Sequence, residues 1–167
     1  MENSITIIPL NKIYLKKAIK LVKSIFKYEK ESVSLELKAS VDNDEFNKYL
    51  LYEDNNIRTI EYFIAINNKG KLLGVVGLYS LNSDYLDTYW IGWYCVSKKE
   101  RGKGIGSILL EYVINEARVR KRKYLKLYTS TYKDEAAAQK LYEKYEFFIT
   151  SIFKGKYEQI LYRKKIL

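Results

Sequence analysis

The feature that most constrains this chain is a short basic, glycine-rich segment, Arg101-Gly102-Lys103-Gly104-Ile105-Gly106. It sits between a strand-like run and a helix-like run. Thr88 to Val96 is dense in aromatic and β-branched residues and reads as a long strand. Ser97-Lys98-Lys99-Glu100 follows as a charged turn. Beyond the glycines, Ile105, Ile108, Leu109, Tyr112, Val113 and Ala117 recur at helical spacing, which predicts an amphipathic helix with one buried stripe.

A strand, a glycine turn and a helix together make an anion site. The first N–H groups of a helix have no intrahelical partner and point into the turn. The helix dipole adds roughly half a positive charge there. Glycine has no Cβ, so the backbone can approach a phosphate closely. Arg101 and Lys103 bring full charges, and Ser107 offers a hydroxyl. The spacing excludes two nucleotide readings: neither GxxxxGK[ST] nor GxGxxG is present, so a P-loop kinase and a Rossmann dehydrogenase are disfavoured. Taken alone, the segment is also compatible with a turn that binds nothing.

The 167 residues suit one domain spanning 1–167, and a hydrophobic content of 47% is enough for a core. No apolar run reaches the roughly 18 residues of a membrane span, and Met1-Glu2-Asn3-Ser4 does not open a signal peptide. A cytoplasmic protein without membrane attachment is expected. The one cysteine, Cys95, rules out an internal disulfide. The absence of histidine removes Ser-His-Asp and Cys-His sites and the commonest metal ligand, so no metal is expected. Cys95 lacks a histidine to activate it and reads as a buried structural thiol. The net charge of +10 fits a nucleic acid, a small polyanion or a lysine-rich solvated surface. No RNA-recognition or helix-turn-helix pattern accompanies it, so a nucleic-acid partner is not expected.

Elsewhere, Ser4–Pro9 reads as a first strand and 12–27 as a helix with Leu15, Ala18, Ile19, Val22, Ile25 and Phe26 on one face. Residues 31–56 are mixed, with Phe46, Tyr49 and Leu50 suggesting a second helix. Thr59–Ile66 and Leu72–Leu81 flank the turn 67–70 as a hairpin. Alternation along 88–96 puts Tyr89, Ile91 and Trp93 on one face and Trp90 and Tyr94 on the other. Tyr124–Thr129 is another strand, and about Glu135 to Tyr145 a short helix carrying Ala138, Leu141, Tyr142 and Tyr145 on one face. Phe147–Phe153 and Tyr157–Tyr162 form a final strand pair. Strands flank helices throughout, so the fold class is α/β or α+β around one mixed sheet.

The segment Trp90–Glu111 resembles the GCN5-related N-acetyltransferase (GNAT) superfamily. Its signature is Arg or Gln, two residues, Gly, one residue, then Gly or Ala, and Arg101–Gly106 fits each defined position. Ala136–Phe148, with Ala138, Leu141-Tyr142-Glu143-Lys144 and Phe147, resembles the family's downstream segment; two motifs in the right order are far more specific than one. The resemblance implies a mostly antiparallel mixed sheet of about six to seven strands with about four helices, and two parallel central strands that splay apart. It implies an acetyl-CoA-dependent enzyme acting on a small-molecule or peptide amine, as a monomer or homodimer. The pyrophosphate would sit on Arg101, Gly102, Lys103, Gly104, Ile105, Gly106 and Ser107, and the pantetheine arm would pair with backbone near Cys95 and Val96.

The same resemblance makes Tyr142 the general acid for the departing thiolate; the competing reading is a core tyrosine on an apolar helix face. Three positions depart from the family. Trp90 stands where several members place a basic Glu, leaving Asp84, Asp87 and Glu61 as candidate bases, each of which also reads as a surface carboxylate. Glu135 replaces a frequent Asn and would repel phosphates unless it faces solvent. Glu146 replaces a Gly, so the turn there could differ in shape. The basic run Arg118–Lys123 reads as a solvated helix end. The loss of the strand glutamate motivates an alternative function, a non-catalytic acyl-CoA-binding regulatory domain.

Overall fold

A computed structural model describes residues 4–27, 30–41 and 45–167. In chain order the elements are β1 (Ile5–Pro9), α1 (Lys12–Ile25), α2 (Lys30–Ala39), α3 (Glu45–Asn55), β2 (Ile57–Asn67), β3 (Leu72–Leu81), β4 (Thr88–Ile91), β5 (Cys95–Val96), α4 (Ile105–Val119), β6 (Tyr124–Ser130), α5 (Ala136–Lys144), β7 (Phe148–Lys154) and β8 (Gln159–Ile166). The mixed stretch 31–56 thus resolves into two helices. Of the residues that suggested the second, the side chains of Phe46 and Leu50 lie outside the described residues, as do Met1, Glu2 and Asn3.

One sheet runs in the order β1-β2-β3-β4-β6-β8-β7, with β5 added beside β3. All pairings are antiparallel except β4 with β6. The β2–β3 hairpin is pinned by its turn: Asn67 Oδ1 accepts from the N–H groups of Lys69 and Lys71, and Gly70 takes φ +70°. That fixes the register that sets Tyr62 opposite Gly77.

Helices cover both faces. One core gathers Leu109, Leu110, Val113, Ile114 and Ala117 of α4 with Phe63, Leu78, Tyr89, Leu125 and Leu127 of the sheet and Tyr142 of α5. The other gathers Ala18 and Val22 of α1, Val33 and Leu37 of α2, and Leu51 of α3 over Tyr62, Ile64 and Val75. The helical spacing of 105–117 delivers its stripe to the first core, where burying each large side chain stabilises by about 1.5–3 kcal/mol. α4 ends in a left-handed residue, Lys121 at φ +57°, with Arg122 N–H donating to Ala117 O at 3.0 Å. This is the Schellman pattern.

The strand expected over 88–96 is broken. β4 stops at Ile91, residues 92–94 are irregular, and β5 resumes at Cys95. The break also changes which way side chains point. Tyr89 and Ile91 join the α4-side core as alternation predicts, but Trp93 packs on the opposite side against Phe26 of α1, with ring centroids 5.0 Å apart. Tyr94 turns back to the α4 side, against Tyr142. The expected grouping of Trp93 with Tyr89, and of Tyr94 with Trp90, fails because the irregular residues reset a two-residue period.

Candidate active site at a strand break facing a helix N-terminus

The glycine segment forms an exposed turn that opens α4. Gly102 and Gly104 adopt φ +77° and +80°, a left-handed backbone that other residues enter at a cost of about 1–2 kcal/mol. A Cβ at either would meet nothing within 4 Å, so the outer surface of the turn is open. Gly104 stands at the cap of α4 without a side-chain acceptor, and no acidic residue lies in the first turn. The N–H groups of Ile105, Gly106 and Ser107 therefore have no acceptor within their own helix. This is the geometry an anion such as a pyrophosphate requires.

Charge around the turn is more balanced than the sequence suggests. Glu100 lies between Lys103 and Lys71, at 2.7 Å and 2.6 Å. Hydrogen bonds from these two ammonium groups lower its carboxyl from 4.5 to about 2. Arg101 leans back, its Nε donating to Val96 O at 3.3 Å. Ser107 lies beside the Tyr145 hydroxyl, which donates to Glu111.

Next to the turn the sheet opens. β4 and β6 pair in parallel only at Thr88–Trp90 with Tyr124–Lys126. Beyond that, β5 pairs with β3 alone, through Gly74 with Val96 and Val75 with Cys95, while β6 continues beside β8 to Ser130. The edge of β6 from Leu127 onward is left facing a gap. The break itself is fastened on both sides: Gly92 N–H donates to Gly77 O at 2.9 Å, and the Tyr94 hydroxyl donates to Gly106 O at 2.7 Å. The Cys95 thiol points away from the glycine turn into the α1–α2 core, where burial pushes it up to about 12. Its side chain belongs to that core, while its backbone pairs with Val75 of β3.

α5 brings Tyr142 to the same place. Its ring lies 6.1 Å from that of Tyr94 and 5.9 Å from that of Phe147. Leu141 lies near the position a Cβ of Gly106 would take, at 3.6 Å. Tyr142 is 6% exposed, and no hydrogen bond to its hydroxyl is present among the described residues. Burial first, and then the charge of Glu135, raise its phenol above the ordinary 10. So residues 94–96, 101–107 and 141–142 meet at one locus.

Two of the departures from the family pattern are compensated. Glu135 is turned inward rather than toward solvent: its carboxylate accepts from the Ser130 N–H at 2.9 Å, from the Ser130 hydroxyl at 2.6 Å and from the Thr129 hydroxyl. Its charge is spent on the end of β6. Glu146 keeps the left-handed turn that a glycine would make, at φ +62°, and pairs with the buried Lys165 at 3.1 Å. The turn before Phe147 therefore has the left-handed residue at which a glycine is ordinarily found. Beneath it, the buried Arg163 donates to Phe147 O, Gln139 Oε1 and Glu143 Oε1.

The carboxylates that sequence spacing proposed as bases are each engaged. Asp84 accepts from Lys126 Nζ at 3.0 Å and from the Trp90 indole at 3.1 Å. Asp87 accepts from the Thr88 hydroxyl at 2.8 Å. Glu61 pairs with Arg120, which also holds Glu116. Arg120 and Arg122 are thereby anchored at the end of α4, Arg122 lying over the Tyr89 ring and donating to Leu86 O.

One arrangement at the break has no counterpart in the sequence pattern. Tyr62 of β2 lies across the sheet so that its hydroxyl reaches the break, accepting from Trp93 N–H at 3.3 Å and donating to Glu36 Oε2 of α2 at 2.7 Å. The available signal was Gly77, which the hairpin register places opposite Tyr62.

Among the described residues no group of three or more His, Cys, Asp or Glu side chains is placed to hold a metal ion, and no helix is long and apolar enough to cross a membrane. The model of the acetyltransferase (GNAT) family matches residues 23–147. No curated protein matches the sequence. Among solved structures, a GNAT family acetyltransferase from Elizabethkingia anophelis with acetyl-CoA bound is 22% identical, with a TM-score of 0.70 over 99% of this chain and 100% of that one. The spermidine N-acetyltransferase of Vibrio cholerae in complex with CoA and spermine is 17% identical, with a TM-score of 0.69 over 97% and 95%. An IAA acetyltransferase from Bacillus cereus is 19% identical, with a TM-score of 0.69 over 98% and 100%.

Proposed function

Because the chain belongs to the acetyltransferase (GNAT) family, we propose that it is a cytoplasmic N-acetyltransferase that moves the acetyl group of acetyl-CoA onto a primary amine by direct attack on the thioester. The observation that carries this reading is the divergence of β5 from β6 beside a helix N-terminus opened by left-handed Gly102 and Gly104. The residues present fit the donor. The N–H groups of 105–107, with Arg101, Lys103 and Ser107, hold the pyrophosphate. The backbone of Cys95 and Val96 offers strand-like pairing to the amide groups of the pantetheine arm.

Acetyl-CoA supplies an acyl carbon activated as a thioester. Tyr142 donates its proton to the departing sulfur. A buried phenol with a raised pKa is held protonated for that task and is restored from solvent between turnovers. Tyr79, Trp90 and Trp93 lie on the α1–α2 face of the sheet beside the break, and an amine reaching the thioester from that face would pass them.

Thermal melting tests the donor site. A ligand at 100 times its dissociation constant stabilises by about 2.7 kcal/mol, so saturating acetyl-CoA is expected to raise Tm by several degrees. No shift would refute the proposal. Thiol release from acetyl-CoA across an amine panel separates an enzyme from the alternative, a regulatory acyl-CoA-binding domain.

A further inference from the structure

We propose that a second copy of this chain pairs antiparallel with β7, joining the two sheets edge to edge across a two-fold axis. This goes beyond the acetyl-transfer reading and does not depend on it. β7 (Phe148–Lys154) is the last strand in the sheet order, and among the described residues only β8 bonds to it. Sheet edges are usually blunted by shortness, by proline or by charged side chains. β7 has seven residues, all of them exposed, with no proline and a single charge, Lys154, at its end. Its one irregularity is a bulge between Ile149 and Ser151.

The register with β8 sorts the apolar side chains of β7 onto both faces. Phe148 shares a face with Lys164, which lies over its ring, and Phe153 shares that face with Ile160. Ile149 and Ile152 pair with the buried Arg163 and Leu161 and lie on the other face, where Arg163 reaches Gln139 and Glu143 of α5. Phe148, Ile149, Ile152 and Phe153 are nevertheless 47%, 43%, 52% and 66% exposed. A strand that is apolar on both faces and open along its backbone is a template for another strand.

The charge along β7 complements itself. The end beside α5 presents the carboxylates of Glu143 and Glu146, 63% and 85% exposed, while the cations they offset, Arg163 and Lys165, are 3% and 8% exposed. The other end presents Lys154 and Lys156, both exposed. An antiparallel copy sets each lysine end against its partner's carboxylate end, whereas a parallel copy sets like against like. Area is sufficient for a reversible pair. At roughly 200 Å² for a large apolar side chain, the exposed parts of these four residues and of Tyr157 come to about 500 Å² per copy. The pair then buries about 1,000 Å² in all, the lower end for a specific interface. Pairing an edge with its own copy also closes it, because the contact is isologous and leaves neither β7 open.

Sedimentation velocity of the full chain, in a series reaching hundreds of micromolar, is expected to show a monomer–dimer equilibrium. Ile152 lies near the middle of β7, so an antiparallel pair brings the two copies of residue 152 together. Ile152→Lys sets like charges there and is expected to weaken the dimer by about tenfold or more. Lys154→Glu combined with Lys156→Glu, at exposed positions, is expected to weaken it with the far-UV circular dichroism of the wild type retained. Cysteine placement reads the geometry, since the one native thiol, Cys95, is buried. Under copper–phenanthroline oxidation, Ile152→Cys is expected to link two copies rapidly. Lys156→Cys is expected to link them far more slowly, because its copies lie at opposite ends of the pair. A wild-type monomer at every concentration, a dimer untouched by both charge variants, equal linking at 152 and 156, or an open series of larger assemblies overturns the proposal.

Discussion

The Tyr94 hydroxyl and the Gly106 carbonyl, 2.7 Å apart, join the strand break to the first turn of α4. A Cβ on Gly106 would stand 2.8 Å from that same hydroxyl. A side chain at 106 would therefore have to push Tyr94 aside, whereas at 102 and 104 it is the backbone conformation that disfavours one.

That difference is measurable. Gly106→Ala is expected to destabilise by about 1–3 kcal/mol through overpacking and to displace Tyr94. Gly104→Ala, with φ +80° and open space around it, is expected to lose about 1–2 kcal/mol to backbone strain alone. Urea unfolding of both variants reads the energies. Near-UV circular dichroism, which reports on tyrosine packing, should change for Gly106→Ala and stay constant for Gly104→Ala.

Tyr142→Phe keeps the ring contacts with Tyr94 and Phe147 and removes one hydroxyl. Turnover is expected to fall by about 10²-fold or more, with acetyl-CoA affinity held. Steady-state kinetics and a titration of acetyl-CoA check the two halves. Unchanged kcat would leave Tyr142 as a packing residue only.

Glu100 sets a pH dependence with a definite sign. Its folded carboxyl is lowered to about 2 from 4.5, so the unfolded chain binds the proton more readily. Its contribution to stability is present above about pH 4.5 and is lost as pH falls toward 2. Both lysines are exposed, so the effect should be small and weaken with salt. Glu100→Gln is expected to flatten this limb of the Tm–pH curve. The same substitution releases Lys103 for phosphate, so acetyl-CoA should bind the variant more tightly at low salt, read by calorimetry.

Lys121 ends α4 in a left-handed conformation without glycine. Lys121→Gly is expected to stabilise the fold by up to about 1 kcal/mol, because relief of backbone strain outweighs the added chain entropy. Chemical denaturation reads the change. A loss of stability would show that the lysine side chain contributes more than its backbone strains.

How much of this was legible in the sequence follows the range of the contacts. The turn 101–106 and the helix after it are consecutive, so spacing and residue type suffice to place them. The break at 92–94 sits inside a continuous aromatic run, and only Gly92 marks it. Strand alternation therefore groups Trp93 with Tyr89 and Tyr94 with Trp90, whereas each packs on the opposite side. Glu36 lies in a helix whose apolar pattern is weak, and its partner Tyr62 is 26 positions away, joined to it by packing that no local period encodes. Sequence shows only the charge of Glu135. Its hydroxyl and N–H partners at Thr129 and Ser130 are close in sequence, yet they face it only once β6 has bent into the loop.

The parting of β5 from β6 gives the sheet an interior margin. From Leu127 to Ser130 one side of β6 pairs with β8, while on the other no strand lies beside it among the described residues. Proteins generally keep such margins at their periphery, where they must be guarded against a stray strand. Here the margin lies at the centre of the sheet, flanked on both sides by the same chain. If the amide-bearing arm of the proposed donor pairs there, it acts as a reversible splice between the two halves of the fold, and amide hydrogen exchange along Leu127–Ser130 is expected to slow when the donor is added.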